Sequence, residues 1–178
     1  MLSKITTPRL ILRTWHRSDL GPLARMCADP RVMEFFPKLL SPAESYEMFS
    51  RITEHFEKHG FGIWAVEIPG VTEFAGFTGI TVPTFDAPFM PCVEIGWRLA
   101  AEYWRHGYAT EAAQAVLDAA FTQLGLEEIV SFTSPLNVRS IMVMERLGMT
   151  RNPADDFNHP RVPAEHPLSR HVLYRIRG

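Results

Sequence analysis

The chain has 178 residues, 46% of them apolar, which is the size of one ordinary domain with enough hydrophobic material for a real core. Lys and Arg total 18 against 20 Asp and Glu, and a net charge of −2 excludes the overall positive field that drives nonspecific nucleic-acid binding, though not a local basic site. No apolar run approaches the ~20 residues that span a bilayer. Met1-Leu2-Ser3-Lys4 lacks the apolar core of a secretory signal, and Cys27 and Cys92 show neither disulfide-framework nor zinc-site spacing. A soluble, cytoplasmic protein without membrane or nucleic-acid partners is expected.

Thr7 to Trp15 alternates, with Leu10 and Leu12 on one face and Arg9, Ile11 and Arg13 on the other, and predicts a first strand. Ser18 and Asp19 are N-cap candidates for a short helix through Leu23, Ala24 and Met26, which Asp29-Pro30 closes. Ser41-Pro42-Ala43-Glu44 combines a capping serine, a proline at the first helical position and an acid in the first turn, and predicts a helix to about His59 with Gly60 as its stop. Phe61 to Ile68 and Phe74 to Val82 read as antiparallel strands around a Pro69-Gly70 turn, and the prolines from Pro83 to Pro91 as a loop. Val93 to Leu99 alternates again, with Glu94, Gly96 and Arg98 sharing a face. Gly107 to Leu124 carries Ala109, Ala112, Ala113, Val116, Leu117, Ala120 and Leu124 at helical spacing before Gly125. Ile129 to Thr133 reads as a short strand, Asn137 to Leu147 as a helix with an Asn cap and a Gly148 stop, and His171 to Arg177 as the last strand. Asn152 to His166, rich in Pro, Asp and His, is expected to be an irregular surface excursion. This order suggests one α/β domain around a mixed sheet, spanning residues 1–178.

Trp104-Arg105-His106-Gly107-Tyr108-Ala109 follows a strand and opens the clearest helix, so unpaired N–H groups and the positive end of the helix dipole face out of the turn. That geometry binds phosphates; the plain alternative is a packed strand-to-helix connection.

At this point the chain resembles a family. Ile95-Gly96-Trp97-Arg98-Leu99, Trp104-x-x-Gly107-x-Ala109-Thr110-Glu111-Ala112, Asn137-x-x-Ser140 and Glu145-Arg146-Leu147-Gly148-Met149 look like successive parts of the GNAT N-acetyltransferases. Within that family they are similar to the branch containing the ribosomal-protein N-terminal acetyltransferases, which Thr7-x-Arg9-Leu10-x-Leu12-Arg13 and Asp29-Pro30-x-Val32-Met33 match too. Trp104 replaces the Gln or Arg that usually opens the family's loop. The resemblance implies an α/β, single-domain GNAT-like fold: a mixed, mostly antiparallel sheet with a splayed parallel strand pair and flanking helices. It implies acetyl-coenzyme A as cosubstrate, held between the strands Val93 to Leu99 and Ile129 to Thr133. Backbone around Trp97, Arg98 and Leu99 would pair with the pantetheine arm. The loop Trp104, Arg105, His106, Gly107, Tyr108, Ala109 and Thr110 would hold the pyrophosphate, and Asn137 would reach the pantetheine or serve as a plain N-cap. Dimerisation is expected from the resemblance alone.

The implied reaction moves an acetyl group onto a primary amine, which needs a base for the ammonium and a proton for the departing thiolate. Glu94, two residues before Gly96, is the candidate base; a strand carboxylate can equally be a surface residue or an ion-pair partner. The Tyr that the family often uses as acid is Met144 here, so Ser140 becomes the candidate donor, unless it only bonds a carbonyl of its own helix. Phe36, Trp64 and Phe85, with Phe35 and Phe77, are candidates to line an acceptor pocket, although strand aromatics are more often core. His159, His166 and His171 with Asp155 and Asp156 match no compact zinc motif, and no metal is expected. The segment Asp155 to His171 is expected to border the acceptor or a subunit contact. The acceptor is left as a protein N-terminus, an amino acid or another small-molecule amine such as an antibiotic, and a non-catalytic acyl-CoA-binding regulatory domain is the alternative on the same fold.

Overall fold

The strand expected from Thr7 to Trp15 is shorter than predicted. In the computed structural model, which describes residues 2–178, it is β2 (Ile11–Arg13), and it forms a hairpin across Pro8 with an unpredicted β1 (Lys4–Thr6). Proline has no N–H for a ladder, and Thr7 closes the turn: its N–H donates to the Leu10 carbonyl at 3.0 Å and its hydroxyl oxygen accepts from the Leu10 N–H at 2.9 Å. Leu10 and Leu12 are buried on one face as the alternation requires.

The other strands are β3 (Ile63–Ile68), β4 (Thr72–Thr81), β5 (Glu94–Leu99), β6 (Glu128–Thr133), β7 (Thr150–Arg151), β8 (Phe157–Asn158) and β9 (Arg170–Arg177). They run in the order β1-β2-β3-β4-β5-β6-β9, with β7 and β8 each pairing with β9, and every pair is antiparallel except β5 with β6. The Asn152 to His166 stretch is thus less irregular than its composition suggests, because β9 supplies a partner for Phe157 and Asn158.

Four helices cover the sheet. α1 (Leu20–Cys27) and α2 (Pro42–His59) bring Leu23, Met26 and Ile52 against Trp15, Phe74 and Phe77 on one face. α3 (Tyr108–Thr122) and α4 (Val138–Arg146) bring Val116, Leu117 and Met144 against Ile80, Ile95, Leu99 and Ile129 on the other. α2 starts at the predicted place: Ser41 Oγ accepts from the Glu44 N–H at 3.2 Å, and Glu44 accepts from the Ser41 N–H at 2.8 Å. It stops at Gly60, whose φ of 73° places it in the left-handed region.

Asp19, expected to cap α1, turns inward instead. Its carboxylate accepts from Arg13 Nη1 and Nη2 at 2.8 and 2.9 Å and from the His16 N–H at 2.8 Å. Arg13 also donates to the Thr14 and Glu73 carbonyls and pairs with Glu67, so one guanidinium ties β2 to the start of α1, to β3 and to the start of β4. Hydrogen bonding to Asp19 raises the Arg13 pKa despite the opposing effect of burial. Asp19→Ala leaves this charge buried with only Glu67 beside it, and is expected to cost about 3 kcal/mol of unfolding free energy, read from urea denaturation.

Candidate active site

β5 and β6 touch at one register position. Glu94 lies opposite Val130, and the Val130 N–H donates to the Val93 carbonyl at 2.9 Å. Beyond that point both strands run on without pairing to each other, β5 along β4 and β6 along β9. The Ala100 N–H donates to Ala75 on the β4 side, and hydrogen-bonding direction alternates along a strand, so the N–H and C=O groups of Ile95, Trp97 and Leu99 face the gap. Arg98 belongs to the other set. Opposite Phe77, it directs its backbone to β4, which removes it from the predicted pantetheine contacts. The Leu99 carbonyl is taken by the Trp104 indole N–H at 2.8 Å, and the Trp104 N–H donates to Ala101. Trp104 therefore braces the end of β5 and leaves no free donor for a ligand.

The turn after β5 is built as an anion cradle. Arg105 and Gly107 have φ of 67° and 79°, and no backbone or side-chain acceptor among the described residues meets the N–H groups from Arg105 to Thr110. Gly107 caps α3, placing those donors at the positive end of a 15-residue helix. Arg9, read in the sequence as a strand and motif residue with no role at the loop, holds this turn. Its Nη1 donates to the His106 carbonyl at 2.9 Å, its guanidinium lies 4.8 Å from the Tyr108 ring centroid, and its Nε donates to Glu111 at 2.6 Å. Thr7 donates to the same carboxylate at 2.6 Å. Burial alone would raise the Glu111 pKa, but these bonds and the Arg9 charge lower it. Two motifs about a hundred residues apart thus form one structural unit.

Glu94, Gly96 and Arg98 share the face opposite α3. Glu94 is half-buried and, among the described residues, has neither a hydrogen bond nor an ion pair; burial pushes its pKa up to about 8, with only Arg161 opposing. A side chain added at Gly96 would meet nothing within 4 Å, which marks open space beside this carboxyl. Phe85, Phe89, Phe132 and Phe157 pack with Val130 and Leu173 on this side of the sheet. The rings of His159 and His171 lie 5.0 Å apart, tilted by 47°, among these rings, and burial takes His159 down to about 4. His159 Nδ1 accepts the Arg161 N–H, and His166 Nδ1 accepts the Leu168 N–H. Phe36 lies partly exposed over Arg98. Trp64 does not belong here: fully buried in the α3 core, with its indole N–H on the Leu2 carbonyl, it cannot line a pocket.

At the end of β6, Asn137 caps α4. Its Oδ1 accepts from the Ser140 N–H at 3.2 Å and its Nδ2 donates to Thr133 at 3.0 Å, leaving one side-chain N–H free. The half-buried Ser140 hydroxyl makes no hydrogen bond to its own helix or to other described residues. Met144 is fully buried and has no proton to give.

Residues 9–150, which include the splayed parallel pair and the turn before α3, match a family model, "Acetyltransferase (GNAT) domain". The chain belongs to the GNAT acetyltransferases. YkkB of Bacillus subtilis (strain 168) is 30% identical over 148 residues, covering 83% of this chain and 85% of that protein. The crystal structure of an acetyltransferase from Agrobacterium tumefaciens str. C58 is 28% identical, with a TM-score of 0.79 over 100% of this chain and 96% of that one. A ribosomal L7/L12 α-N-protein acetyltransferase, solved in complex with coenzyme A, has a TM-score of 0.78 at 14% identity over 98% of each chain, a likeness of fold.

The free donors from Arg105 to Thr110 and the unpaired edge of β5 fit the pyrophosphate and pantetheine of acetyl-CoA, whose acetyl group the family transfers. Gly107→Asp puts a carboxylate and a strained left-handed residue, costing ~1–3 kcal/mol, into the cradle. The variant is expected to stay folded by circular dichroism and to lose coenzyme A binding in titration calorimetry.

Proposed function

We propose that this acetyltransferase acetylates a primary amine by direct attack on the thioester, with Glu94 as the base and Ser140 as hydrogen-bond donor to the leaving sulfur. The observation that carries the reading is the Glu94 carboxyl: uncompensated, raised to about 8, and beside open space where β5 and β6 part. A base acting on an ammonium works best with a pKa near the operating pH. Glu94 takes the ammonium proton directly or through one water, and the amine lone pair forms the new N–C bond. As the tetrahedral intermediate collapses the C–S bond breaks, the nitrogen gives up its second proton, and the thiolate takes up a proton by way of solvent.

Ser140 lies one turn into α4, beside Asn137, and its free hydroxyl supports hydrogen bonding to sulfur in place of a bond within the helix. The free N–H of Asn137 supports its assignment to the pantetheine arm. Ribosomal-protein N-terminal peptides and small amines are the acceptor classes to profile, with coenzyme A release as the readout. A non-catalytic domain would release none.

The base is active when deprotonated, so kcat/KM is expected to rise with pH and level off above about 8. Glu94→Gln is expected to flatten that limb and lower the rate by ~10²-fold or more. A carboxyl whose pKa is raised by folding removes stability as pH climbs from its unfolded to its folded value. The Tm of Glu94→Gln relative to the parent is therefore expected to increase from about pH 5 to about pH 8, which separates lost chemistry from lost fold. Ser140→Ala is expected to lower kcat by ~10²-fold with little change in acetyl-CoA affinity, provided single-turnover kinetics show chemistry to be rate-limiting.

A further inference from the structure

Arg98 carries a charge that the fold does not neutralise. It projects from β5 on the same face as Glu94, and its guanidinium lies 3.9 Å from the Phe36 ring centroid and 5.2 Å from that of Phe77. Its Nη1 donates to Cys27 Sγ at 3.3 Å, and its Nε is buried with no hydrogen-bond partner. No carboxylate compensates it. The acids of the covering segment are engaged elsewhere: Asp29 with Arg31, Glu34 with Arg139, Glu44 with Lys38. Burial lowers the Arg98 pKa, and only the Cys27 sulfur opposes that shift.

Buried guanidinium groups are retained where a planar, two-oxygen anion uses their fork of donors. Between Arg98 and Glu94 on the same face lies Gly96, the position whose missing side chain leaves open space. Side chains two residues apart on a strand are separated by ~6.8 Å, so one small molecule spans from the space over Gly96 to either neighbour.

We infer that Arg98 binds the carboxylate of a compact amino-carboxylate acceptor, an amino acid or close derivative with a free acid group, and so holds its amine over Gly96 beside Glu94. This rests on the acetyl-transfer reading above and adds the acceptor's chemical class to it. A protein N-terminus presents a neutral amide where this acceptor presents its acid, and an amide cannot neutralise the guanidinium. The cover over Arg98 also suits a small molecule. Arg139, in the first turn of α4, pairs with Glu34 and lies 5.5 Å from the Phe35 ring and 4.7 Å from the Trp104 ring. The segment carrying Phe36 is thereby strapped to the far side of the gap, across the ends of β5 and β6.

The test compares a panel of L-amino acids with their own carboxamides in two assays: coenzyme A release with acetyl-CoA, and calorimetric binding to coenzyme A-saturated protein, which needs no turnover. The acids are expected to exceed their amides in kcat/KM by ~10²-fold. Arg98→Gln is expected to bring that ratio near unity and Arg98→Lys to restore part of it, with acetyl-CoA affinity confirming an intact cosubstrate site. A purely structural Arg98, packed on two rings and a thiol, lowers acids and amides together and overturns the proposal. So does wild-type protein that treats acids and amides alike in both assays, or that acetylates peptide N-termini but no free amino acid. Arg98-dependent binding of the acids without coenzyme A release overturns the acetyl-transfer reading and leaves the carboxylate site standing.

Discussion

Two neighbouring parallel strands that do not pair along their length leave a row of peptide groups without partners, and the organisation of this site follows from that constraint. β5 is held by six residue pairs to β4 and β6 by six to β9, so neither strand can swing across to close the gap without breaking its own antiparallel ladder. The single ladder pair between them, Glu94 against Val130, is the hinge of the V. An extended ligand with amide groups of its own satisfies such an edge as an added strand would. The same divergence sends the two chains into separate helices, which puts the N-terminus of α3 at one arm of the gap and that of α4 at the other.

Charge follows a complementary logic. Most ionic groups whose burial matters to the fold have a local partner: Arg13 with Asp19, Arg175 with Glu128 and Asp155, Arg9 with Glu111. Glu94 and Arg98 are exceptions, one carboxyl and one guanidinium on the same face of the same strand, each without its counter-ion. They are too far apart along the strand to neutralise one another unaided. Leaving both uncompensated lowers stability, and violations of this kind concentrate where a protein does chemistry. A zwitterionic molecule with its amine near Glu94 and its acid at Arg98 resolves both at once, which is why the proposed base and the proposed acceptor belong to one argument.

Features that depend on local rules were legible in the sequence. The box at Ser41 and Glu44, the left-handed stops at Gly60 and Gly148, and the cradle around Gly107 each need only a few consecutive residues. The alternation of Val93 to Leu99 correctly put Glu94, Gly96 and Arg98 on one face. What escaped depends on the third dimension. The hairpin at Pro8 was hidden because β1, Lys4 to Thr6, is too short to show a period and is a strand only through its pairing with β2. Trp64 and Phe36 are both aromatic, and only the position of the α1–α2 segment makes one core and the other a cover. Arg9 and Glu111 were visible as motif residues, but nothing local says that a hairpin turn comes to rest against a helix start. The free Nε of Arg98 has no sequence signal, since an arginine on a strand ordinarily reaches solvent or an acid.

The sheet itself separates the two proton movements of the proposed reaction. Glu94 faces the α1 side of β5, the side on which Phe85, Phe89, Phe132 and Phe157 pack, whereas Ser140 sits on α4, which packs on the opposite face. In the proposed reaction the thioester would reach between them through the gap, so the ammonium would lose its proton on one side while sulfur would be met by a hydroxyl on the other. A single residue serving both ends would need a pKa suited to two conflicting tasks. Splitting them lets burial hold Glu94 near the pH at which it works, without asking the same environment to stabilise a thiolate. On that proposal the unpaired strands would serve binding and chemistry together: the opening that leaves pantetheine a backbone edge would also be the passage that keeps acid and base apart.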